Sequence, residues 1–258
     1  MAAVALLLLV GVSLAGLVGL SGSGDDAALP GSGMTGDDLL TDGTDGPDTL
    51  TGDAGTDLLV GRGGDDLLTG GDGNDWLLGL DGADTLDGGP GRDVLIGGDG
   101  SDQLQGGAGD DFIEAADIID ENALVASLDG ARAFADLAFS YALPGPSDGG
   151  DLVDLGPGDD TVVAGSDDSV TGGDGMDEFA LGDWIEGGRP TMIEDFDLAE
   201  DLITFVAADD HPTPELSIER DSVTGLTTLK ADGQAIAVLR NASPDFSLRN
   251  VAVGRYAA

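Results

Sequence analysis

From Gly33 to Glu114 the chain alternates short aliphatic triplets with longer runs of glycine and aspartate. The aliphatic position returns at a fixed interval, through Leu40, Leu50, Leu59, Leu68, Leu77, Leu86, Leu95, Leu104 and Ile113. The interval is nine residues, apart from one ten-residue step between Leu40 and Leu50. Two glycines precede each aliphatic residue in the same phase, as in Gly70 and Gly73 before Leu77. Gly, Asp and Asn tolerate the left-handed backbone of tight turns. The bulky residues that follow suit a short strand. Side chains alternate along a strand, so the invariant aliphatic position faces a core and its two neighbours face outward. Each unit therefore predicts one turn and one strand, and two units close one coil. A single coil cannot bury its apolar residues alone, so copies must stack. The predicted fold is all-β: a right-handed parallel β-roll, or two-sheet solenoid, with an inserted helix and a C-terminal β capping segment.

The sixth position of every unit is aspartate: Asp38, Asp48, Asp57, Asp66, Asp75, Asp84, Asp93, Asp102 and Asp111. Weaker repeats after Leu155 add Asp160 and Asp177 in the same phase. Stacked turns place such carboxylates about 5 Å apart, the spacing of strands in a sheet. Like charges that close repel unless a cation neutralises them. Ca²⁺ suits loops of this kind, because it accepts six to eight oxygens from carboxylates and main-chain carbonyls in flexible geometry. Mg²⁺ demands stricter geometry and keeps its waters.

Eight units run without a gap from Gly43 to Glu114, and a ninth precedes them with Asp42 as a one-residue insertion. Their pattern, G-G-x-G-x-D-x-aliphatic-x, resembles the RTX, or haemolysin-type calcium-binding, family. Gly fills the second position only at Gly71, Gly89, Gly98 and Gly107; Met34, Thr44, Asp53, Arg62 and Leu80 depart from it. Those departures are expected to weaken individual sites. The resemblance implies Ca²⁺ as cofactor, in several copies, and a bacterial protein that is secreted or attached to the cell surface. It also implies an uncleaved C-terminal signal for type I export. The I-x-D-F segment at Ile193–Phe196, with Asp201 to Ile203 beyond it, is similar to the one that closes many members.

The rest of the chain divides around this array. Residues 1–20 are apolar and read as a membrane anchor or a cleaved signal segment, with 2–20 about long enough to span a bilayer core. An N-terminal segment of this kind departs from the RTX pattern. Residues 21–32 read as a linker and 33–114 as the roll. Residues 115–150 form an insertion, whose apolar positions Leu124, Leu128, Phe134, Leu137 and Tyr141 recur at helical spacing. Residues 151–180 read as degenerate coils and 181–258 as a capping segment with a type I secretion signal. Odd-numbered units carry apolar outward residues (Leu39, Leu58, Val60, Trp76, Leu78, Val94, Ile96 and Phe112), whereas even-numbered units carry Thr, Gln and Asp apart from Leu67. An apolar face of that size calls for a cover. The inserted helix is the expected one, and self-association or a cell-surface partner is the alternative.

Charge sharpens the picture. The chain has 51 acidic and 9 basic residues, a net charge of -42. That excludes nucleic acid as an electrostatic partner. Without cations, so acidic a repeat region is expected to stay disordered, and binding then supplies the folding free energy. Cysteine is absent and His211 is the single histidine, which removes thiolate and multi-histidine metal centres. Gly145-Pro146-Ser147-Asp148-Gly149 matches G-x-S-x-G but lies in a Pro/Gly loop without an evident histidine base. The sequence therefore favours a non-enzymatic, calcium-folded exported protein with a surface, adhesion or matrix role. The alternative is a calcium-dependent secreted hydrolase or enzyme accessory.

Overall fold

A computed structural model describes residues 39–119, 124, 149–208 and 212–256. The expected segments 1–20 and 21–32, His211 and nearly all of the inserted helix lie outside them. Within the described residues the chain is a parallel β-roll. Its strands are β1 (Leu40–Asp42), β2 (Thr49–Thr51), β3 (Leu58–Gly63), β4 (Leu67–Thr69), β5 (Trp76–Asp81), β6 (Thr85–Pro90), β7 (Val94–Ile96), β8 (Gln103–Ala108) and β9 (Phe112–Ala115). After the insertion come β10 (Leu152–Pro157), β11 (Thr161–Ala164), β12 (Ser169–Asp174), β13 (Glu178–Gly182), β14 (Thr191–Ile193) and β15 (Leu202–Ala208). The chain ends in β16 (Leu216–Arg220), β17 (Thr227–Ala231), β18 (Gln234–Leu239) and β19 (Val251–Tyr256).

Successive strands alternate between two sheets. One runs β1-β3-β5-β7-β9-β11-β13-β15-β19, and the other runs β2 through the even strands to β14 and then β18-β17-β16. Pairing is parallel with an 18-residue register, as in Leu59 beside Leu77 and Leu68 beside Leu86. The aliphatic positions meet between the sheets: Leu59, Leu68, Leu77, Leu86, Leu95 and Ile113 are fully buried. Two consecutive nine-residue units thus make one coil, and stacking dries the core that one coil cannot.

The first unit departs from the expected register. Leu40 pairs with Leu58 and Thr41 with Leu59, so Leu40 points outward and is 45% exposed. The strand therefore stays in an unbroken 18-residue register through Asp42, which is not an insertion. Sheet pairing decides this, because backbone hydrogen bonding to β3 aligns the strand.

The two outer faces differ as the sequence predicts. Leu58, Val60, Trp76, Leu78, Val94, Ile96 and Phe112 are all buried, whereas Leu39, ahead of β1, is exposed. Leu124, helical and inside the insertion, is buried in the same apolar cluster. Thr49, Thr51, Gln103 and Gln105 on the other sheet are exposed. The insertion leaves after β9, an odd strand, and lengthens the register from 18 to 49 residues between Asp102 and Asp151.

The coils do not stop at residue 180. Strands β14, β15, β18 and β19 extend both sheets in parallel, and only β16–β17–β18 turn antiparallel. Asp232 and Gly233, at φ +49° and +83°, make the tight turn predicted between β17 and β18. Phe179, Phe196 and Phe246 close the end of the core, with Phe196 edge-on to Phe246 at 5.5 Å.

Candidate metal centres

Each turn is built from the same parts. In Gly70–Asp75 the backbone reverses through Gly71 and Gly73, at φ +115° and +152°. Asp75 then enters β5 with its side chain folded back into the turn, fully buried. Its Oδ1 accepts the N–H of Asp57, one coil earlier, at 2.8 Å. The Asp75 N–H in turn donates to Asp93 Oδ1 at 2.7 Å, and Asp93 N–H to Asp111 Oδ1 at 2.8 Å.

Two such ladders run the length of the roll, one along each edge. The first passes through Asp57, Asp75, Asp93, Asp111, Asp160, Asp177 and Asp201. The second passes through Asp48, Asp66, Asp84, Asp102, Asp151 and Asp168. Ten of the expected ligands therefore stand together as two files. Asp38 lies outside the described residues, and the register of β1 puts Leu39 in its place, donating its N–H to Asp57 Oδ1.

Asp151, Asp168 and Asp201 join the ladders without having been singled out in the sequence. The glycines of the repeat are incomplete around them, with Gly149 kept before Asp151, but an aliphatic residue stands two places on in each case (Val153, Val170 and Ile203). That two-residue step from carboxylate to core was the readable signal.

The second carboxylate oxygen is the chemically active one. Oδ2 of Asp66, Asp75, Asp84, Asp93, Asp111, Asp160 and Asp177 is buried with no hydrogen-bond partner. A buried, unpartnered anionic oxygen is costly, and a bound cation is the usual remedy. The cost is visible in protonation. Burial, helped by neighbouring aspartates and opposed by the main-chain N–H bond, pushes Asp93 and Asp160 up to about 8 and Asp75 to about 7. Burial likewise raises Asp84, Asp111 and Asp177 to about 6.

Main-chain carbonyls face the same spot. A β-carbon placed on Gly70 would stand 2.5 Å from Asp75 Oδ2 and 2.6 Å from Gly88 O, the first residue of the next coil's turn. At Gly88 the same atom would stand 2.5 Å from both Asp93 Oδ2 and Gly106 O. The missing side chain leaves a small cradle of carboxylate and carbonyl oxygen. Among the described residues no three His, Cys, Asp or Glu side chains converge on one point. Any ion here must draw on main-chain oxygens, which suits Ca²⁺ and excludes a thiolate- or imidazole-seeking metal. The residues fit calcium.

The fold and these turns define a parallel β-roll with a repeated cation-binding turn. Residues 42–77 and 78–113 match the RTX calcium-binding nonapeptide repeat family. This segment is an RTX repeat array, and its repeats bind several Ca²⁺ ions. No curated protein matches the chain. Among solved structures it is similar to the AlgE6R3 subunit of the Azotobacter vinelandii mannuronan C5-epimerase, at 18% identity over 81% of this chain and 79% of that one, with a TM-score of 0.24. It is also similar to the extracellular lipase LipA of Serratia marcescens, at 18% identity over 85% of this chain, with a TM-score of 0.29. The chain spans 40% of the lipase's length.

Proposed function

We propose that this chain is an exported bacterial protein whose roll folds on extracellular Ca²⁺ and serves a surface, adhesion or matrix role without catalysis of its own. The observation that carries the reading is the file of buried, unpartnered Oδ2 atoms, of which those of Asp66, Asp75, Asp84, Asp93 and Asp111 share a glycine cradle with a main-chain carbonyl of the next coil. Where Ca²⁺ is scarce, these oxygens repel one another and oppose folding, which suits a chain that must cross a membrane unfolded. Where Ca²⁺ is millimolar, the ions satisfy them and the coils close together.

An open hollow near the C-terminal end is lined by Asp195, Phe196, Asp197, Leu198, Asn241 and Ser243. Its carboxylates already accept main-chain N–H groups, Asp195 from Gly172 and Gly173 and Asp197 from Ala199. That supports a structural rather than a catalytic role for the tail. The exposed polar sheet, with Thr49, Thr51, Gln103 and Gln105, is the broad surface left for contact with a matrix. Among the described residues no helix is long and apolar enough to cross a membrane; residues 2–20 lie outside them.

The test is a far-UV circular dichroism titration of the full chain with CaCl₂, beside MgCl₂ and NaCl at matched ionic strength. A cooperative gain of β signal in Ca²⁺ alone is expected. An equal response to all three salts would mean simple charge screening and would remove the calcium reading.

A further inference from the structure

The turns are of two kinds, although their aspartates occupy one phase. In eight of them the residue at position two has a left-handed backbone. Six of those residues are glycines, with Gly71, Gly89, Gly98, Gly107, Gly156 and Gly173 between φ +98° and +115°. Their turns end in Asp75, Asp93, Asp102, Asp111, Asp160 and Asp177. The other two are Arg62 and Leu80, both at φ +78°, before Asp66 and Asp84. Of these aspartates Asp66, Asp75, Asp84, Asp93, Asp111, Asp160 and Asp177 carry a buried, unpartnered Oδ2.

The left-handed backbone is the cause. It turns the position-two N–H out of the loop toward the next coil, so that Gly71 donates to Gly88 O and Leu80 to Gly97 O. Nothing within the turn is then left to meet Oδ2. Arg62 and Leu80 hold a conformation that residues with a β-carbon avoid, which marks it as required by the site rather than permitted by sequence.

The four turns near the ends of the ladders are closed differently. Thr44 and Asp53 are not left-handed, and their N–H groups point inward to Asp48 Oδ2 and Asp57 Oδ2, both at 2.7 Å. At the other end Gly165 N–H meets Asp168 Oδ2 at 2.5 Å, and Asp197 N–H meets Asp201 Oδ2 at 2.7 Å. We infer that backbone handedness at position two sorts the aspartates into calcium ligands (Asp66, Asp75, Asp84, Asp93, Asp102, Asp111, Asp160 and Asp177) and metal-independent turn latches (Asp48, Asp57, Asp168 and Asp201). The inference rests on the calcium reading above and deepens it. The latched turns close the two ends of the stack without an ion, and the open turns between them await one.

The carbonyl half of the cradle is present even in a latched turn, since a β-carbon on Gly52 would stand 2.2 Å from Gly70 O. Only the inward N–H of Asp53 occupies the carboxylate. Asp53→Gly, which permits the left-handed turn, is therefore expected to create a site while removing an acidic residue.

The experiment counts Ca²⁺ bound to the full chain at saturation by equilibrium dialysis. Asp75→Asn is expected to lose at least one ion, Asp57→Asn to lose none, and Asp53→Gly to gain one. The gain keeps the test decisive where Asp75→Asn or Asp57→Asn fails to fold. A wild-type chain that takes up no Ca²⁺ would remove the calcium reading itself. A wild-type chain that binds, with no gain in Asp53→Gly, would overturn the sorting alone.

Discussion

At the scale of the residue, glycine and aspartate divide the work of the turn. Glycine at position four is required by contact with the coil before it. A β-carbon on Gly91, at φ +155°, would stand 1.4 Å from Gly73 O. Gly46 has the same phase but stands at the first described coil, where nothing among the described residues lies within 4 Å of that position. Gly91→Ala is therefore expected to destabilise the calcium-loaded protein by roughly 3 kcal/mol, from overpacking and backbone strain together. Gly46→Ala should stay within about 1 kcal/mol of the parent. Urea midpoints in saturating Ca²⁺ compare the two.

The aspartates give a pH dependence with a definite sign. Burial raises the folded-state values of Asp93 and Asp160 to about 8 and of Asp75 to about 7, from 3.8. Between these limits the metal-free folded chain holds more protons than the unfolded one, so its stability falls as pH rises. That stabilisation is complete below the unfolded value and lost as pH climbs through the folded values. The metal-free protein should thus be better folded at pH 5 than at pH 8, as read by circular dichroism. Calcium needs the deprotonated form, so its apparent affinity should rise over the same interval, with protons released on binding.

At the scale of the element, the coil rather than the unit is the conserved length. Strands pair 18 residues apart, and the two units of a coil present opposite outer faces. Deleting residues 70–87 removes β5 and β6 together and keeps every later strand in its sheet. Deleting only 70–78 sends Val94, Ile96 and Phe112 to the polar side. The first variant is expected to fold on calcium and elute as the parent does, and the second to aggregate, as size-exclusion chromatography will show. The burial of the odd outer face, with Leu124 in the same cluster, is the reason the exchange matters.

At the scale of the whole molecule, the net charge of -42 and the dry core pull in opposite directions. The core is only two strands thick, and its column of Leu59, Leu77, Leu95 and Ile113 grows by one residue per strand added. The carboxylate files grow at the same rate, so a longer array gains no advantage over its own repulsion without cations. The ends are managed separately. The aromatic group of Phe179, Phe196 and Phe246 closes the core at one end, and the antiparallel hairpin ends the polar sheet there.

The repeat, its two faces, its core column and ten of its ladder aspartates were legible in the sequence because each follows from a local period. A nine-residue phase fixes which side of a strand a residue faces, whatever the neighbouring coil does. Three further features needed the folded chain. The register of β1 was set by pairing with β3, against the spacing of Leu40. Asp151, Asp168 and Asp201 entered the ladders through contacts across coils, although the glycines of the repeat are incomplete around them. The division between open and latched turns rests on the direction of one N–H at position two. That direction depends on backbone handedness: Arg62 and Leu80 adopt the left-handed form despite their side chains, whereas Thr44 and Asp53 do not. Residue type alone does not decide it, because the hydrogen bond that holds each choice is made either to the next coil or back into the turn.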